Sequence, residues 1–130
     1  MGSEMCIRDR SEAHGVGAIG VRVLAGGALS GTETRHSLGM PVVAPIGSDT
    51  DYATDVRRGL LFSPLVEDGI ADSLPGLAMR YVISNPILPT TEIGIATVEQ
   101  LQLAAAAVNK GTLDREALVR IKSVQATLKD

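Results

Sequence analysis

Two stretches of this chain have the form of a strand running into a turn suited to binding an anion, and they constrain the fold more than any other feature. Ala18–Leu24 (AIGVRVL) is a short apolar run with β-branched residues, as expected of a buried strand. It opens into the glycine-rich loop Ala25–Gly31 (AGGALSG). Glu92–Ile95 (EIGI) is a second strand candidate, followed at once by Thr97-Val98-Glu99-Gln100. A threonine with glutamine three positions later is a capping box, so a helix starts there. Strands alternating with helices predict a parallel α/β sheet. In such sheets, ligands bind where strands end and loops begin.

The rest of the chain supplies helices. Ser11–Gly15 reads as a helix tail closing on glycine. Asp51–Val66 carries Tyr52, Val56 and Leu60 at four-residue spacing, with Pro64 expected to bend or end the helix. Ser73 caps the next helix, whose apolar face is Leu74, Leu77, Ala78, Tyr81 and Val82, and Asn85-Pro86 stops it. Leu101, Ala104, Ala105 and Val108 are the expected stripe of the helix after Thr97, with Gly111 closing it. A last helix is expected from Asp114 to Leu128, with Leu118, Ile121, Val124 and Leu128 on one side. Between Thr32 and Thr50 there is no clear period, and irregular segments that long are usually functional or disordered.

Composition narrows the function classes. The net charge of −3 gives no electrostatic reason to expect nucleic acid or an anionic membrane as partner. Tyr52, Phe62 and Tyr81 are the only aromatic residues, too few for a base-stacking platform. No apolar run reaches the length of a membrane span. Residues 1–10, MGSEMCIRDR, resemble the translation of a transposase-based sequencing adapter read from a GTG start codon. They have no apolar period and are expected to be disordered and foreign to the fold. The single cysteine, Cys6, lies within them, so the remaining sequence has no thiol or cysteine–metal chemistry. The natural N-terminus is then expected upstream, and the location cytoplasmic.

Several motifs have a plain structural reading beside the functional one. Gly15-Val16-Gly17-Ala18-Ile19-Gly20 matches G-x-G-x-x-G, but a dinucleotide fingerprint needs a strand before it and a helix after it. Here the order is reversed, which favours a tight turn between helix and strand. In Ala25–Gly31 the glycines would let backbone N–H groups approach a phosphate, or merely allow a connection. The helix starting after Thr97 offers unpaired N–H groups and a partial positive charge, or is simply a capped helix. His14 and His36 have no partners at metal spacing. Glu67-Asp68 and Asp49/Asp51 read as solvated faces or caps.

Taken together, the two loops resemble the cofactor-binding segments of aldo/keto reductases. Ala18–Gly31 is similar to that family's seventh-strand segment, which commonly reads IAYSPLGRGLLTG; Leu24, Gly27, Leu29 and Gly31 are identical and Ser30 replaces threonine. Pro75-Gly76-Leu77-Ala78-Met79-Arg80-Tyr81 resembles the family's P-x-x-x-A-L-R-W helix. Ile93–Leu101 resembles the turn IPGARNPEQL after its eighth strand. The likeness spans nearly all of residues 11–130. It implies an α/β fold: the last two strands and helices of a (β/α)₈ TIM barrel, cut from a whole that needs roughly 250 residues.

The resemblance also implies a nicotinamide cofactor, held by Leu24, Gly27 and Leu29 along the diphosphate and nicotinamide and by Gly94, Thr97 and Gln100 at the adenosine end. The family's catalytic Asp, Tyr, Lys and His come from earlier strands and have no counterpart here, so no catalytic residue is assigned. The parent protein would pass a hydride between NAD or NADP and a carbonyl or alcohol substrate of the sugar or aldehyde class, while this chain alone would be inactive. The alternative is a non-catalytic regulatory or partner-binding protein related to the same family. This chain departs from the family pattern at several positions. Val21 stands where a tyrosine often stacks on the nicotinamide, Arg22 replaces a serine, and Ala104 replaces an asparagine. Ala96 stands where an arginine often meets the 2′-phosphate, which leans the cofactor towards NAD. Val-Arg-Val in place of Tyr-Ser-Pro resembles the sugar dehydrogenase branch.

Overall fold

A computed structural model describes residues 3–39 and 49–128, with side chains from Ile7 onward. Its elements are, in order, α1 (Ser3–Ala13), β1 (Ile19–Gly20), a 3₁₀ turn (Ala25–Ser30), α2 (Tyr52–Leu60), α3 (Ser63–Glu67), α4 (Leu74–Ile83), β2 (Thr90–Thr91), α5 (Val98–Asn109) and α6 (Arg115–Thr127). Part of the irregular segment expected over Thr32–Thr50, residues 40–48, lies outside the described residues, as do residues 1–2 of the N-terminal segment. Residues 3–10, for which no regular structure is predicted, are helical in α1. No helix among the described residues is long and apolar enough to cross a membrane.

The expected fold class is not what forms. The end of a TIM barrel would supply two strands of ordinary length wrapped by helices; the described residues are mostly helical, with two parallel strands of two residues each. Ile19 pairs with Thr90 and Gly20 with Thr91, and the Glu92 N–H adds one further bond to the Gly20 carbonyl at 2.8 Å. Pro89, just before β2, has no N–H to donate. Beyond Val21 the backbone leaves the extended region, because Arg22 sits at φ 55° and Ala25 at φ 51°. The ladder is therefore closed at both ends.

Burial corrects the strand further. Ala18–Leu24 is expected to be buried on both faces, yet Ile19 and Val21 are each 64% exposed. Alternation along the strand sends both to one face, which no described residue covers. Gly20 faces the other way onto α4, where a Cβ would lie 2.9 Å from Val82 Cγ1. The second strand forms at Thr90–Thr91, just before the predicted Glu92–Ile95.

The helices follow their local signals. Asp51 Oδ1 accepts from the Thr54 N–H at 2.7 Å to start α2. The Asp51–Val66 helix divides after Leu60, and Pro64 sits in the first turn of α3, where its missing N–H does no harm. Ser73, Thr97 and Asp114 cap α4, α5 and α6, each accepting an N–H three residues on. Gly111, at φ 79°, follows the end of α5.

Helix α4 lies between two apolar clusters. Leu77 joins Leu65, Ala71, Leu113, Ala117 and Ile121, with Tyr81 packed alongside. Met79 joins Val23, Ala104 and Ala107, with Leu24, Ala78, Val82 and Ile93 against them. The buried side of α5 is thus Ala104 and Ala107, not the whole predicted stripe: Leu101 is 53% exposed, and Ala105 and Val108 are exposed too. Gly76 on α4 explains the choice, since a Cβ there would stand 3.4 Å from Ala107 Cβ. Two small faces let the helices approach closely, and leucine would hold them apart.

Arg80 is the polar residue of this central helix. Its Nε donates to the Gly111 carbonyl at 2.9 Å, Nη1 to Ile70 at 2.8 Å and Nη2 to Thr112 at 3.1 Å. It ties the loop before α4 and the loop between α5 and α6 to α4. Ser84 adds a second tie: its hydroxyl donates to the Arg80 carbonyl at 2.6 Å and accepts the Leu113 N–H at 2.8 Å. The ion pairs Lys110–Asp72 and Arg120–Asp68 lie on the exposed rim.

Two expectations follow from this packing. Arg80→Ala should lower stability by about 2–3 kcal/mol, since bonds to a charged group are lost and three carbonyls lose a partner. Lys110→Ala should cost at most about 1 kcal/mol, as exposed ion pairs do. Urea unfolding of both variants measures the difference, and equal losses would contradict it. The Thr54 backbone N–H, then the Thr54 side chain, hold the Asp51 carboxyl below the usual carboxylate range. A carboxylate with a lowered folded pKa stabilises fully above its unfolded pKa, and the gain disappears as pH falls through the folded one. Asp51→Asn keeps a capping oxygen without that titration. Its stability loss relative to the parent should be larger at about pH 7 than at about pH 3, read by denaturant unfolding at each.

Candidate functional site

Because β1 and β2 run parallel, the segments that follow them leave from the same end of the sheet. Leu24, at the base of the glycine-rich turn, and Ile93, ahead of α5, pack on the same cluster around Val23 and Met79. The two predicted loops therefore start from neighbouring points.

The first loop is wound tightly. Its backbone has positive φ at Ala25 (51°), Gly26 (67°) and Gly27 (105°), and the Leu24 carbonyl accepts from both Gly27 at 2.9 Å and Leu29 at 3.1 Å. For glycine these angles cost little; for Ala25, and for Arg22 just upstream, they cost of order 1 kcal/mol each. Ala28 is fully buried against α2, where a Cβ on Gly59 would come within 3.0 Å of its carbonyl oxygen. Leu29 leans on the same glycine. Leu24 and Leu29 thus act as anchors, half-buried, that set the turn's position.

Gly27 is where another part of the chain approaches. A Cβ there would fall 2.9 Å from Arg35 Nη1 and 3.0 Å from the Tyr52 hydroxyl. Arg35 Nη1 donates to the Gly26 carbonyl at 2.6 Å and to the Tyr52 hydroxyl at 3.3 Å. The Arg35 guanidinium carbon lies 5.3 Å from the centre of the Tyr52 ring, within the range of a cation–π contact. Sequence reasoning did not find this pair. Arg35 lies in a segment with no period, and Tyr52 reads as one apolar position of a helix; nothing local links residues seventeen apart.

The second loop is more open. Gly94 is exposed, and a Cβ there would meet nothing within 4 Å. Thr97 Oγ1 accepts the Gln100 N–H at 3.2 Å, and Gln100 Oε1 accepts the Ala96 N–H at 2.7 Å. The predicted capping box forms, with its return bond one residue earlier than the usual N-cap N–H. The Leu101 N–H is the first to bond back into the helix, to the Thr97 carbonyl at 3.3 Å, so Val98 and Glu99 have no acceptor within α5. Among the described residues no arginine or lysine lies between Glu92 and Val108.

Among the described residues, the remaining titratable groups are not gathered at one place. Tyr52 bonds to Arg35 and Tyr81 to Gln125, at 3.4 Å. His14 and His36 are exposed, and His36 Nδ1 accepts the Leu38 N–H at 3.1 Å. No group of three or more metal-binding side chains occurs among the described residues. What the site offers is a helix N-terminus whose first two N–H groups have no acceptor within α5, beside a glycine-rich turn whose backbone is largely bonded to itself. No family model, no curated protein and no solved structure matches this chain.

Proposed function

We propose that this chain carries the dinucleotide-binding part of a nicotinamide-dependent oxidoreductase acting on a carbonyl or alcohol of the sugar or aldehyde class, in the cytoplasm. One observation carries the reading: the parallel pairing of Ile19 with Thr90 and Gly20 with Thr91 sends the glycine-rich turn and the start of α5 out of the same end of the sheet. A dinucleotide has two polar ends joined by a diphosphate, and such ligands bind at loops that leave one end of a parallel sheet. The likeness of both segments to those of aldo/keto reductases points to the same ligand.

The residues present fit unevenly. At the α5 end, Gly94 leaves open space, and the first two N–H groups of the helix lack an acceptor within it. There Thr97 and Gln100 would fix the helix start against the adenosine end. At the turn, the space left by Gly27 is taken by Arg35 and Tyr52. Leu24 and Leu29 would hold the backbone in place there. The cofactor supplies the hydride acceptor or donor, and the residues of this chain bind and orient it.

NAD is the favoured form. A 2′-phosphate carries roughly −1.5 to −2 charges near neutral pH, by analogy with other phosphate monoesters. Binding it well takes a charged partner, and the α5 end supplies Glu92 and Glu99 in place of one. The helix N-terminus favours an anion by only about 0.3–1 kcal/mol. Arg80 is held at the far side of α4 by three carbonyls.

Calorimetric titration of the chain with NAD and NADP tests this. NAD should bind at least as tightly as NADP, and Ala96→Arg should strengthen NADP binding by about tenfold, the value of one good charge-assisted contact. Failure to bind either dinucleotide would overturn the reading. Neither tyrosine bonds to a lysine or histidine, so the purified chain should reduce no aldehyde with NADH; sustained turnover would contradict its role as a binding part alone.

A further inference from the structure

We propose that α5 is the contact through which two copies of this chain pair, antiparallel, along the row formed by Glu99, Leu103, Ala106 and Lys110. The pairing goes beyond the dinucleotide reading and does not depend on it.

The fold makes little use of α5. Of its 12 residues, only Ala104 and Ala107 are buried. Leu103 is 63% exposed, and Ala106 is exposed too. Residues 99, 103, 106 and 110 follow one another at spacings of four, three and four, so they share one flank of the helix. The middle of that row is apolar, and its two ends carry opposite charges. Beside it, between α5 and the start of α4, runs a groove of about 60 Å³ lined by Asp72, Ser73 and Gly76 together with Leu103 and Ala106. Gly76 has no side chain to fill it, and the space takes the end of an aliphatic side chain.

The row is complementary to itself, which identifies the occupant as a second copy. An antiparallel register that sets Leu103 of each copy on Ala106 of the other also sets Glu99 of each on Lys110 of the other. A large side chain then meets a small one, and both ends close on opposite charges. A parallel pair would set Glu99 on Glu99 and Lys110 on Lys110, and would align the two helix dipoles. Lys110 is already drawn to this flank by its ion pair with Asp72. An ammonium has three donors, so a second carboxylate can join the first. No ion pair among the described residues involves Glu99. The other exposed stripe of α5, with Val98 and Leu101, has no charge at its ends to fix a direction or a register.

The size of the contact sets its strength. A helix of this length spans about 18 Å, and one such contact buries less than about 1,200 Å², the range of weak and reversible association.

Sedimentation equilibrium of the full chain at concentrations up to about 1 mM tests the pairing, with a monomer–dimer dissociation constant expected between about 10 µM and 1 mM. Leu103→Glu should weaken association by about tenfold or more, and Ala106→Glu, on the opposite side of the same contact, should do likewise. Glu99→Lys and Lys110→Glu should each weaken it alone. An equimolar mixture of those two variants should associate again, because each altered charge then faces its opposite. Leu101→Glu should change the constant by no more than about twofold. All these positions are exposed, and circular dichroism checks that each variant folds. A dimer that survives both Leu103→Glu and Ala106→Glu overturns the proposal, as does one weakened equally by Leu101→Glu. A mixture that associates no better than its components overturns the antiparallel register and the proposal with it. A wild type that stays monomeric throughout gives the face to a different occupant and overturns it too.

Discussion

The fold depends on one guanidinium more than on its sheet. Arg80 is the charged residue of a helix that is apolar on two sides, and its Nε, Nη1 and Nη2 each donate to a different carbonyl. Those carbonyls belong to Ile70, Gly111 and Thr112, in the loops before α4 and between α5 and α6. Because the charge is spent on backbone oxygens, α4 can lie between two apolar clusters without leaving a polar group unmet; no buried side-chain nitrogen or oxygen lacks a partner among the described residues. A two-residue ladder offers too few hydrogen bonds to organise helices around itself. Here the helices, tied through Arg80 and Ser84, hold the ladder in place.

That order of dependence explains where the site sits. Gly20 lies on Val82 and Ala107 on Gly76, so the sheet and α5 each come close to α4 at a point where one partner has no side chain. Val23 and Met79 fill the space between, and Leu24 and Ile93 seal its rim. The glycine-rich turn and the start of α5 thus rise from a common floor. Their spacing is set by packed side chains, not by the turns themselves, so rearrangement of one loop need not shift the other.

The parts legible in the sequence were those fixed by a few neighbouring residues. Ser73, Thr97 and Asp114 each cap a helix through a bond three residues away, and Pro64 and Gly111 act through their own backbone, so nothing distant can change them. The strand over Ala18–Leu24 failed because an apolar run specifies burial only if something arrives to cover it. Ile19 and Val21 remain bare while Val23, two positions on, is buried. The TIM-barrel expectation failed with it, as did the outer part of the α5 stripe, where the small face of α4 selected Ala104 and Ala107 over Leu101. Of the site residues, Thr97 and Gln100 do what their spacing implied, Gly94 is open, and Leu24 and Leu29 serve first as anchors. Arg35 and Tyr52 were invisible because their meeting depends on the whole path between them.

The strain around the turn gives that meeting its physical sense. Arg22 and Ala25 both hold positive φ without being glycine, one on each side of the buried Val23. Such angles persist only where packing over-determines the backbone, and here Val23 and Leu24 below and Ala28 beside α2 do so. The Arg35 guanidinium, held by Tyr52, closes on the Gly26 carbonyl where Gly27 leaves room for it. The restrained turn and the guanidinium that closes it are therefore one packed unit, and a side chain at Gly27 would disrupt both.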